Sequence, residues 1–599
     1  MKKLVSLLCI IVLAIGMLSG CSNEKDKEPA STNTPQSETV KGDESTPAPT
    51  TAAPTVAEPR VLTWINDATD GWVRNFNPLA ADVKSWALGF MFEPLVIFNT
   101  YQNNEETMWL AEDVISESDN VTITIKVRKG VKWSDGEDFT ADDVYFTYTY
   151  DKNYPEIDRA GSWDSVAADG SVLKGKFKDV VKVDDYTVQI IMNEPNRFAR
   201  NDVLLNRWML PEHIFKDVTN PASYVMETPV VTGAFSEVLS FAPEMILLGR
   251  NPHFWNGDNL QVDQMRIPQH NGNEAATALL QTGEIDWTHI MIADIENTYV
   301  QGDAHKKYWY GMNDGVRLAF NYMTPNKDNL KAFQTPDFKR ALSMAIDRQG
   351  IIDSAVYGYL QSTVPSNTGL PPALFGYMSD NAQAEMAKYT TYDTEGAKAL
   401  LTSAGFVDVD GDGFVENPDG SKIAFEILSP AGWTDWNDGS AIVAQNWQEI
   451  GVNATAKATD LSLIQETWAT GEHDILYSGY GATANIWKFY YDTIGNQANV
   501  KQSNWWTLTQ TNYVSDELTA LIAEMPTASD ARVKEITEAV EMHYAENMIN
   551  IPLFFNGNWY VYSDARWTGW ATAENPFVNP AICNHDMKIL QLMALKPVE

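Results

Sequence analysis

The pattern of apolar and polar positions predicts strands along much of the chain. Thr122 to Val127 alternates polar and apolar side chains, which is typical of a half-buried strand, and residues 182–192 alternate in the same way. Residues 316–322 are almost continuously apolar and predict a buried strand. Strands of both kinds therefore recur at intervals along the chain.

Two helices carry clear boundary signals between these strands. Thr140 can cap the first helix, and the apolar face expected for that helix consists of Val144, Tyr145 and Tyr148. Pro336 lies in the first turn of the second helix, whose apolar face consists of Phe338, Leu342, Ala345 and Ile346.

The amino terminus has a different pattern. Residues 4–17 form an apolar run after Lys2 and Lys3, and small residues lead to Cys21, so residues 1–20 read as a secretory signal. The run is too short to prefer a membrane span. The motif that ends at Cys21 resembles a bacterial lipobox, which implies cleavage before Cys21 and a lipid on that cysteine.

Residues 21–59 are rich in Ser, Thr, Pro and Glu, and residues 22–59 contain no aromatic side chain. Such a segment cannot bury enough apolar surface to fold, so it predicts a disordered tether. A long Thr/Pro tether favours a Gram-positive cell. The predicted location is extracytoplasmic, with the protein lipid-anchored to the cell membrane.

Composition narrows the classes of partner. The 599 residues suffice for two or more domains, and the net charge of −37 excludes nucleic acid, whose phosphates need clustered Lys and Arg. The same charge disfavours adsorption to anionic lipids, so the lipid would be the sole anchor. Removal of the signal and acylation of Cys21 leave only Cys583, so no intramolecular disulfide is expected.

A family resemblance rests on residues 126–144, which read strand, Arg-Lys-Gly-Val-Lys-Trp-Ser-Asp-Gly, then Phe-Thr-Ala-Asp-Asp-Val. This order resembles the extracellular solute-binding proteins of ABC importers, in the branch that binds peptides, nickel and oligosaccharides. Further matches lie at residues 77–79, 92–95 and 340–348. The resemblance extends from about residue 60 to the end; around Gly233 a usual glycine and proline are missing.

The resemblance implies a two-lobed, periplasmic-binding-protein-like α/β fold of the large class II type. Lobe I would comprise residues 60–315 and 553–599, with an extra subdomain at about 90–215, and lobe II would comprise residues 316–552. The chain would cross between the lobes near residues 313–316 and 551–555. Such a protein is expected to be a monomer that holds a small ligand and works with ABC permease subunits.

The nature of the ligand depends on one segment. Peptide binders of the family typically carry an aspartate there that pairs with the α-ammonium of the peptide, but no carboxylate lies between Asp474 and Asp492. A buried ammonium without a partner costs several kcal/mol. The tail at residues 567–577 also resembles the oligosaccharide branch, although Ala571 departs from its usual proline. We therefore expect a neutral β-linked oligosaccharide, with an oligopeptide as the alternative.

Catalysis finds little support in the sequence. The nucleophile elbow, the His-Glu-x-x-His motif, the phosphate-binding loop and the cysteine pair are all missing, and no two of the eight histidines are spaced i,i+4. Abundant carboxylates leave a secreted glycosidase-like enzyme as a remote alternative. We expect a binding protein that is not an enzyme and needs no catalytic cofactor.

Aromatic residues supply the candidate ligand site. The chain has 20 tryptophans, several of them in segments that follow predicted strands, and a flat indole can cover the apolar face of a sugar ring. For any single tryptophan, core packing is the ordinary alternative. The candidate platforms are Trp64, Trp72, Trp433, Trp436, Trp487, Trp505 and Trp506. The polar neighbours expected to bond sugar hydroxyls are Asn66, Asp67, Tyr480 and Asn485.

One acidic segment resembles a calcium loop in its spacing. Carboxylates fall at loop positions 1, 3, 5, 9 and 12, and Gly413 falls at the sharp turn. The expected ligands of a structural Ca²⁺ are Asp408, Asp410, Asp412, Phe414 through its carbonyl, Glu416 and Asp419. Asp at position 12 is shorter than the usual Glu, and a strand-like segment follows the loop. The alternative is a carboxylate-rich turn without an ion.

Overall fold

Strands and helices alternate in the computed structural model, which describes residues 58–65, 72–80, 87–102, 104–158, 160–166, 170, 172–360, 364–480, 483, 485–495, 510–583 and 586–599. The strands are β1 Val61–Ile65, β2 Val96–Asn99, β3 Glu105–Met108, β4 Ala111–Ser116, β5 Thr122–Val127, β6 Ser165–Val166, β7 Val172–Leu173, β8 Phe177–Asp184, β9 Thr187–Met192, β10 Phe235–Ala242, β11 Met245–Arg250, β12 Gln264–Pro268, β13 Trp287–His289, β14 Lys306–Trp309, β15 Met312–Phe320, β16 Phe425–Pro430, β17 Ala454–Thr459, β18 Ile475–Gly479, β19 Asn550–Gly557, β20 Tyr560–Ser563, β21 Trp567–Thr568 and β22 Lys596–Pro597.

Fifteen α-helices lie among the described residues. They are α1 Ala141–Tyr150, α2 Ala199–Leu204, α3 Glu212–Phe215, α4 Gly272–Gln281, α5 Lys327–Phe333, α6 Pro336–Met344, α7 Arg348–Ala355, α8 Asp380–Ala387, α9 Thr394–Ser403, α10 Thr434–Glu449, α11 Leu461–Thr470, α12 Ile486–Tyr490, α13 Asp516–Glu524, α14 Asp530–Asn547 and α15 Lys588–Ala594. No helix among the described residues is long and apolar enough to span a membrane. The expected signal, Cys21 and nearly all of the tether lie outside the described residues.

Two mixed sheets organise the chain. The first has seven strands in the order β10-β11-β12-β1-β13-β20-β14, and the second has five in the order β17-β16-β18-β15-β19. β1 runs parallel to β12 and β13, whereas β16 runs parallel to β17 and β18. We call the part built on the seven-stranded sheet lobe I and the part built on the five-stranded sheet lobe II.

The chain passes between the two sheets twice. β14 ends at Trp309 and β15 begins at Met312, while β19 ends at Gly557 and β20 begins at Tyr560. The backbone NH of Asn558 donates to the carbonyl of Gly311 at 2.7 Å, so the two passages lie side by side. They lie a few residues closer to lobe I than the expected crossings, because β15 and β19 remain paired as far as Met312 and Gly557.

A third sheet, ordered β4-β5-β9-β8, packs with α1. Together with α2 these elements form what we call the subdomain. Thr140 caps α1 as expected, in a capping box with Asp143. Val144 and Tyr148 are buried, but Tyr145 is 40% exposed, so it does not belong to the buried face of α1.

Helix α6 confirms the stripe expected from Phe338 and Leu342, both of which are fully buried. Lys339 is buried as well, although the periodicity gave no sign of this. Its ammonium donates to the hydroxyl of Tyr322 at 2.6 Å, and burial lowers the pKa of Lys339 to about 7. The structure thus accommodates an isolated cation by giving it a hydroxyl acceptor.

Candidate functional site

The carboxyl ends of β16 and β18 point to the edge of lobe II where open α/β sheets hold ligands. Gly432 and Trp433 follow β16 and lead into α10, while Tyr480 follows β18. Because β15 runs antiparallel to β18, its amino-terminal half lies at the same edge. These segments form the lobe II wall of the candidate site.

Lobe I meets this wall through a contact with little side-chain bulk. A Cβ built on Gly432 would lie 3.1 Å from the Cα of Gly272, and both glycines have positive φ, 82° and 76°. The backbone NH of Asn273 donates to the carbonyl of Gly432 at 3.1 Å, and its side chain donates to the hydroxyl of Thr434 at 3.0 Å. We call these four residues, Gly272, Asn273, Gly432 and Thr434, the glycine contact.

A buried carboxyl lies beside the glycine contact. Asp435, in the first turn of α10, is 4% exposed, and burial raises its pKa to about 7. The side-chain amide of Asn273 approaches it at 3.5 Å. The amino-terminal end of α10 favours negative charge there, which opposes the effect of burial.

The subdomain meets lobe II through a second contact, which is charged. The carboxylate of Asp202 accepts from Lys176 at 2.9 Å and from Lys488 at 3.2 Å, and Lys488 also pairs with Asp492 at 2.7 Å. We call these four residues the charged contact. Burial alone would lower the pKa of Lys488, but Asp492 and Asp202 outweigh burial and raise it above its usual value.

Three of the predicted platforms are buried. Trp64 is fully buried against Phe90, with ring centroids 5.7 Å apart, and Trp436 is 3% exposed between Trp433 and Tyr477. Trp487 is 4% exposed and stacks on Phe198 of the subdomain, with centroids 6.4 Å apart and planes at 10°. In this structure these indoles pack against protein, as ordinary core and interface tryptophans do.

The remaining predicted platforms differ in placement. Trp72 and Trp433 are half-buried, and Trp433 stands at the start of α10 beside the glycine contact. Trp433 is therefore the predicted tryptophan that the described structure places at the edge of lobe II with part of its surface exposed. Asn66, Asp67, Trp505 and Trp506 lie outside the described residues.

The two predicted polar residues that the structure describes have structural partners. The hydroxyl of Tyr480 donates to the carbonyl of Asn367 at 2.9 Å, and its ring packs so closely on Gly369 that a Cβ there would lie 2.1 Å away. Asn485 caps α12 by accepting from the NH of Lys488 at 3.0 Å, and its amide donates to the carbonyl of Phe198 at 3.2 Å.

Sequence reasoning missed a polar group at this edge. Arg317 lies in β15, is 4% exposed, and has its guanidinium 4.5 Å from the ring centroid of Tyr480. It donates to the side-chain oxygen of Gln510, which also accepts from the hydroxyl of Ser478. The available signal was a charged residue with the apolar neighbours Val316 and Leu318.

The acidic loop brings four of its predicted ligands together. Carboxylate oxygens of Asp408, Asp410, Asp412 and Glu416 all lie within 4.8 Å of one another, and Gly413 has φ 95°. Asp419 instead pairs with Lys331 at 2.7 Å, which differs from the expected ligand set. The backbone NH of Phe414 donates to Asp412 at 2.9 Å.

A lysine partly neutralises this acidic cluster. The ammonium of Lys422 lies 2.6 Å from Asp410 and 2.7 Å from Asp412. Carboxylate oxygens are suitable ligands for a hard cation such as Ca²⁺. The ion would have to compete with Lys422 for the carboxylates of Asp410 and Asp412.

A family model for bacterial extracellular solute-binding proteins, family 5, matches residues 105–502. The oligopeptide-binding protein AppA of Bacillus subtilis is 25% identical over 366 residues, covering 60% of this chain and 62% of AppA. The dipeptide-binding protein of Escherichia coli is 24% identical over 418 residues, covering 66% of this chain and 72% of that protein. The chain spans about 60% of the length of several curated relatives that it matches.

Solved structures resemble the whole described fold. A periplasmic oligopeptide-binding protein of Thermotoga maritima, solved with bound mannohexaose, has a TM-score of 0.79 at 24% identity, covering 91% of this chain and 99% of that chain. AppA of Bacillus subtilis in complex with a nonapeptide has a TM-score of 0.71 at 19% identity, covering 90% and 100%. These likenesses confirm the expected two-lobed, periplasmic-binding-protein-like α/β fold.

Proposed function

The chain belongs to family 5 of the bacterial extracellular solute-binding proteins, and on that basis we propose that it is the solute-binding component of an ABC importer, which takes up an oligosaccharide between its lobes and delivers it to the permease. Family 5 proteins bind solutes for transport and are not enzymes, which leaves the glycosidase-like alternative without support. The work of such a protein is affinity and lobe closure.

The observation that carries the choice of an oligosaccharide is the segment between β18 and α12. It contains no carboxylate, and the nearest acidic residues on either side have partners: Asp474 accepts from Thr324 at 2.8 Å, and Asp492 pairs with Lys488. A peptide α-ammonium would therefore find no carboxylate in this segment. Trp433 at the edge of lobe II supplies an aromatic face that suits a sugar ring.

The peptide alternative is favoured by the names of the curated relatives and by the nonapeptide in AppA. Calorimetry with β-1,4-linked mannohexaose and with a nonapeptide separates the two possibilities. We expect heat of binding with the sugar and none with the peptide. Tight binding of the peptide, with no response to any oligosaccharide, would contradict the proposal and favour the alternative.

We propose further that Cys21 carries the lipid anchor of a Gram-positive lipoprotein and that the folded part acts as a monomer. The lipobox-like motif before Cys21 and the tether-like composition of residues 21–59 support the anchor. Cys21→Ala should move the protein from the membrane fraction to the medium. Retention of this variant in membranes would argue against the lipid anchor.

We also propose that the acidic loop at Asp408–Glu416 binds a structural Ca²⁺. The support is the convergence of its four carboxylates and the turn at Gly413. Chelation should lower the melting temperature of protein loaded with Ca²⁺, since a ligand that binds the native state stabilises it. Unchanged melting after chelation, together with no calcium by elemental analysis, would exclude the site.

A further inference from the structure

Arg317 lies in lobe II near the edge of the sheet at which open α/β sheets bind ligands. It lies opposite Ser478 in the β15–β18 register, one residue before Gly479 at the carboxyl end of β18. Open α/β sheets bind ligands beyond the carboxyl ends of their strands. The side chain lies against Tyr480, the residue that follows that end.

The donors of Arg317 are largely unused. Its Nη2 donates to Gln510, but its Nε is buried and has no acceptor among the described residues. No salt bridge joins Arg317 to a carboxylate among the described residues, although the attraction of Tyr480, Tyr544 and Asp314 acts against the effect of burial on its pKa. A guanidinium carries five N–H donors, so this buried cation is incompletely bonded.

Arg348 provides an internal comparison, because it is equally buried, at 4% exposure. It donates to the carbonyls of Pro552, Ser343 and Thr390 and to the hydroxyl of Ser343, at 2.8 to 3.0 Å. These bonds account for its burial and identify it as a structural arginine. Arg317 has the same burial with one hydrogen-bond acceptor, so packing alone does not explain it.

The chemistry of the unused donors identifies what would complete them. A planar guanidinium matches a carboxylate through two parallel N–H···O bonds, and such charge-assisted bonds are about twice as strong as neutral ones. Burial lowers the pKa of Arg317, but it also lowers the pKa of Arg348, so the hydrogen-bond geometry and not the pKa distinguishes the two arginines. An anionic oxygen group would satisfy both the charge and the free Nε.

We propose that Arg317 binds a carboxylate of the transported ligand, so that the oligosaccharide is an acidic one with uronic acid units rather than a neutral one. This inference rests on the proposed oligosaccharide-binding function and deepens it. Tyr480 is a positioning residue: its hydroxyl is held by Asn367 and its ring lies over the guanidinium. A dedicated cation is also what an anionic ligand needs in a chain of net charge −37.

The test compares two sugars that differ in one group. β-1,4-linked hexamannuronate and β-1,4-linked mannohexaose share backbone and linkage, but only the first has carboxylates. Calorimetry on the unsubstituted protein should show at least about tenfold tighter binding of hexamannuronate. In Arg317→Met the preference for hexamannuronate should disappear. In Arg317→Lys it should persist in part, because lysine keeps the positive charge but lacks the two parallel N–H donors of a guanidinium.

Three results would overturn the inference. Equal affinity for both sugars in the unsubstituted protein would contradict the proposed contact with a ligand carboxylate. It would leave the proposed oligosaccharide-binding function intact. If Arg317→Met still prefers hexamannuronate to mannohexaose, a residue other than Arg317 must be responsible for that preference. Failure to bind either sugar, with tight binding of a nonapeptide that is lost on carboxyl-terminal amidation and in Arg317→Met, would keep the carboxylate contact but overturn the proposed sugar function.

Arg348, which is as buried as Arg317, serves as the control for effects on folding. Arg348→Met should lower the melting temperature markedly without changing the ratio of the two affinities, because it leaves several carbonyls without their donor. Arg317→Met should melt close to the unsubstituted protein. A collapse of stability in both Arg317→Met and Arg317→Lys would assign Arg317 a structural role and contradict the inference.

Discussion

The glycine contact joins lobe I to lobe II and the charged contact joins the subdomain to lobe II, but the two contacts differ in chemistry. The glycine contact brings backbone to backbone, with Gly272 and Gly432 free of side chains. The charged contact places Asp202 between Lys176 and Lys488 with almost no exposure of its carboxylate. The first depends on shape and the second on charge, so different perturbations should open them.

This difference has a consequence for closure. Backbone approach at Gly432 tolerates no added atom and includes no ion pair, although Asp435, whose pKa burial raises to about 7, lies beside it. The charged contact tolerates changes in shape, but it needs Asp202 to remain ionised. Burial alone would raise the pKa of Asp202, but Lys176 and Lys488 outweigh burial and hold the pKa below its usual value.

The largest expected effect comes from Asp202→Asn. This change leaves Lys176 without its carboxylate and Lys488 with Asp492 alone, and breaking a buried ion pair typically costs about 3 kcal/mol or more. Chemical denaturation should show this loss in the free energy of unfolding. The same reasoning gives the pH dependence: the contribution is present above about pH 4 and is lost as pH falls through the lowered pKa of Asp202.

The matched control is Asp164→Asn, because Asp164 pairs with Lys174 at 2.9 Å in the same subdomain but at an exposed position. An exposed pair contributes about 0–1 kcal/mol, so this variant should be nearly neutral. Equal losses in the two variants would mean that burial does not distinguish the charged contact.

An intermediate effect is expected for Gly432→Ala. The substitution forces an alanine to φ 82° and places its Cβ against Gly272, so the lobes should be held apart. We expect at least about a tenfold loss of ligand affinity. Small-angle scattering should show a smaller decrease in radius of gyration on ligand addition than in the unsubstituted protein.

Gly420→Ala is the control that separates the effect of backbone strain at an alanine from the effect of disturbing the glycine contact. Gly420 has φ 81°, but a Cβ there meets nothing within 4 Å. Both variants should lose about 1–2 kcal/mol of stability from the left-handed backbone, while only Gly432→Ala should lose affinity. A loss of affinity in Gly420→Ala would show that strain, and not the glycine contact, limits closure.

The smallest effect is expected from salt. Buried pairs are screened weakly, so raising the ionic strength from about 0.01 M to 1 M should weaken affinity for the uncharged mannohexaose by less than about threefold. That residual dependence should vanish in Asp202→Asn and persist in Gly432→Ala. A salt effect of equal size in both variants would place its origin outside the charged contact.

Local elements were predictable where their signals are short-range. The cap at Thr140 and the buried stripe on α6 depend on spacing within one helix, and both are confirmed. Tyr145 and Lys339 departed from expectation because each is decided by what packs against its helix. An aromatic ring on α1 remained exposed, and a lysine on α6 found a tyrosine hydroxyl 2.6 Å away.

The candidate site was less predictable than the fold. Tryptophan content indicates aromatic surface but does not distinguish a platform from a core side chain. Trp64 packs against Phe90, and Trp487 stacks on Phe198, a residue 289 positions earlier in the chain. Asn485 was expected to bond sugar hydroxyls, but its side-chain oxygen caps α12.

The sequence alone determined the family resemblance, the alternation of strands and helices, the acidic charge and the missing carboxylate between Asp474 and Asp492. These properties are local or additive along the chain. Only the tertiary structure decided that Arg317 is buried with one acceptor while Arg348 has four, and that Asp202 lies between two lysines. The hydrogen-bond partners and ion pairs of a buried side chain come from residues far apart in the sequence. Residue spacing along the chain therefore does not predict which of these groups come into contact.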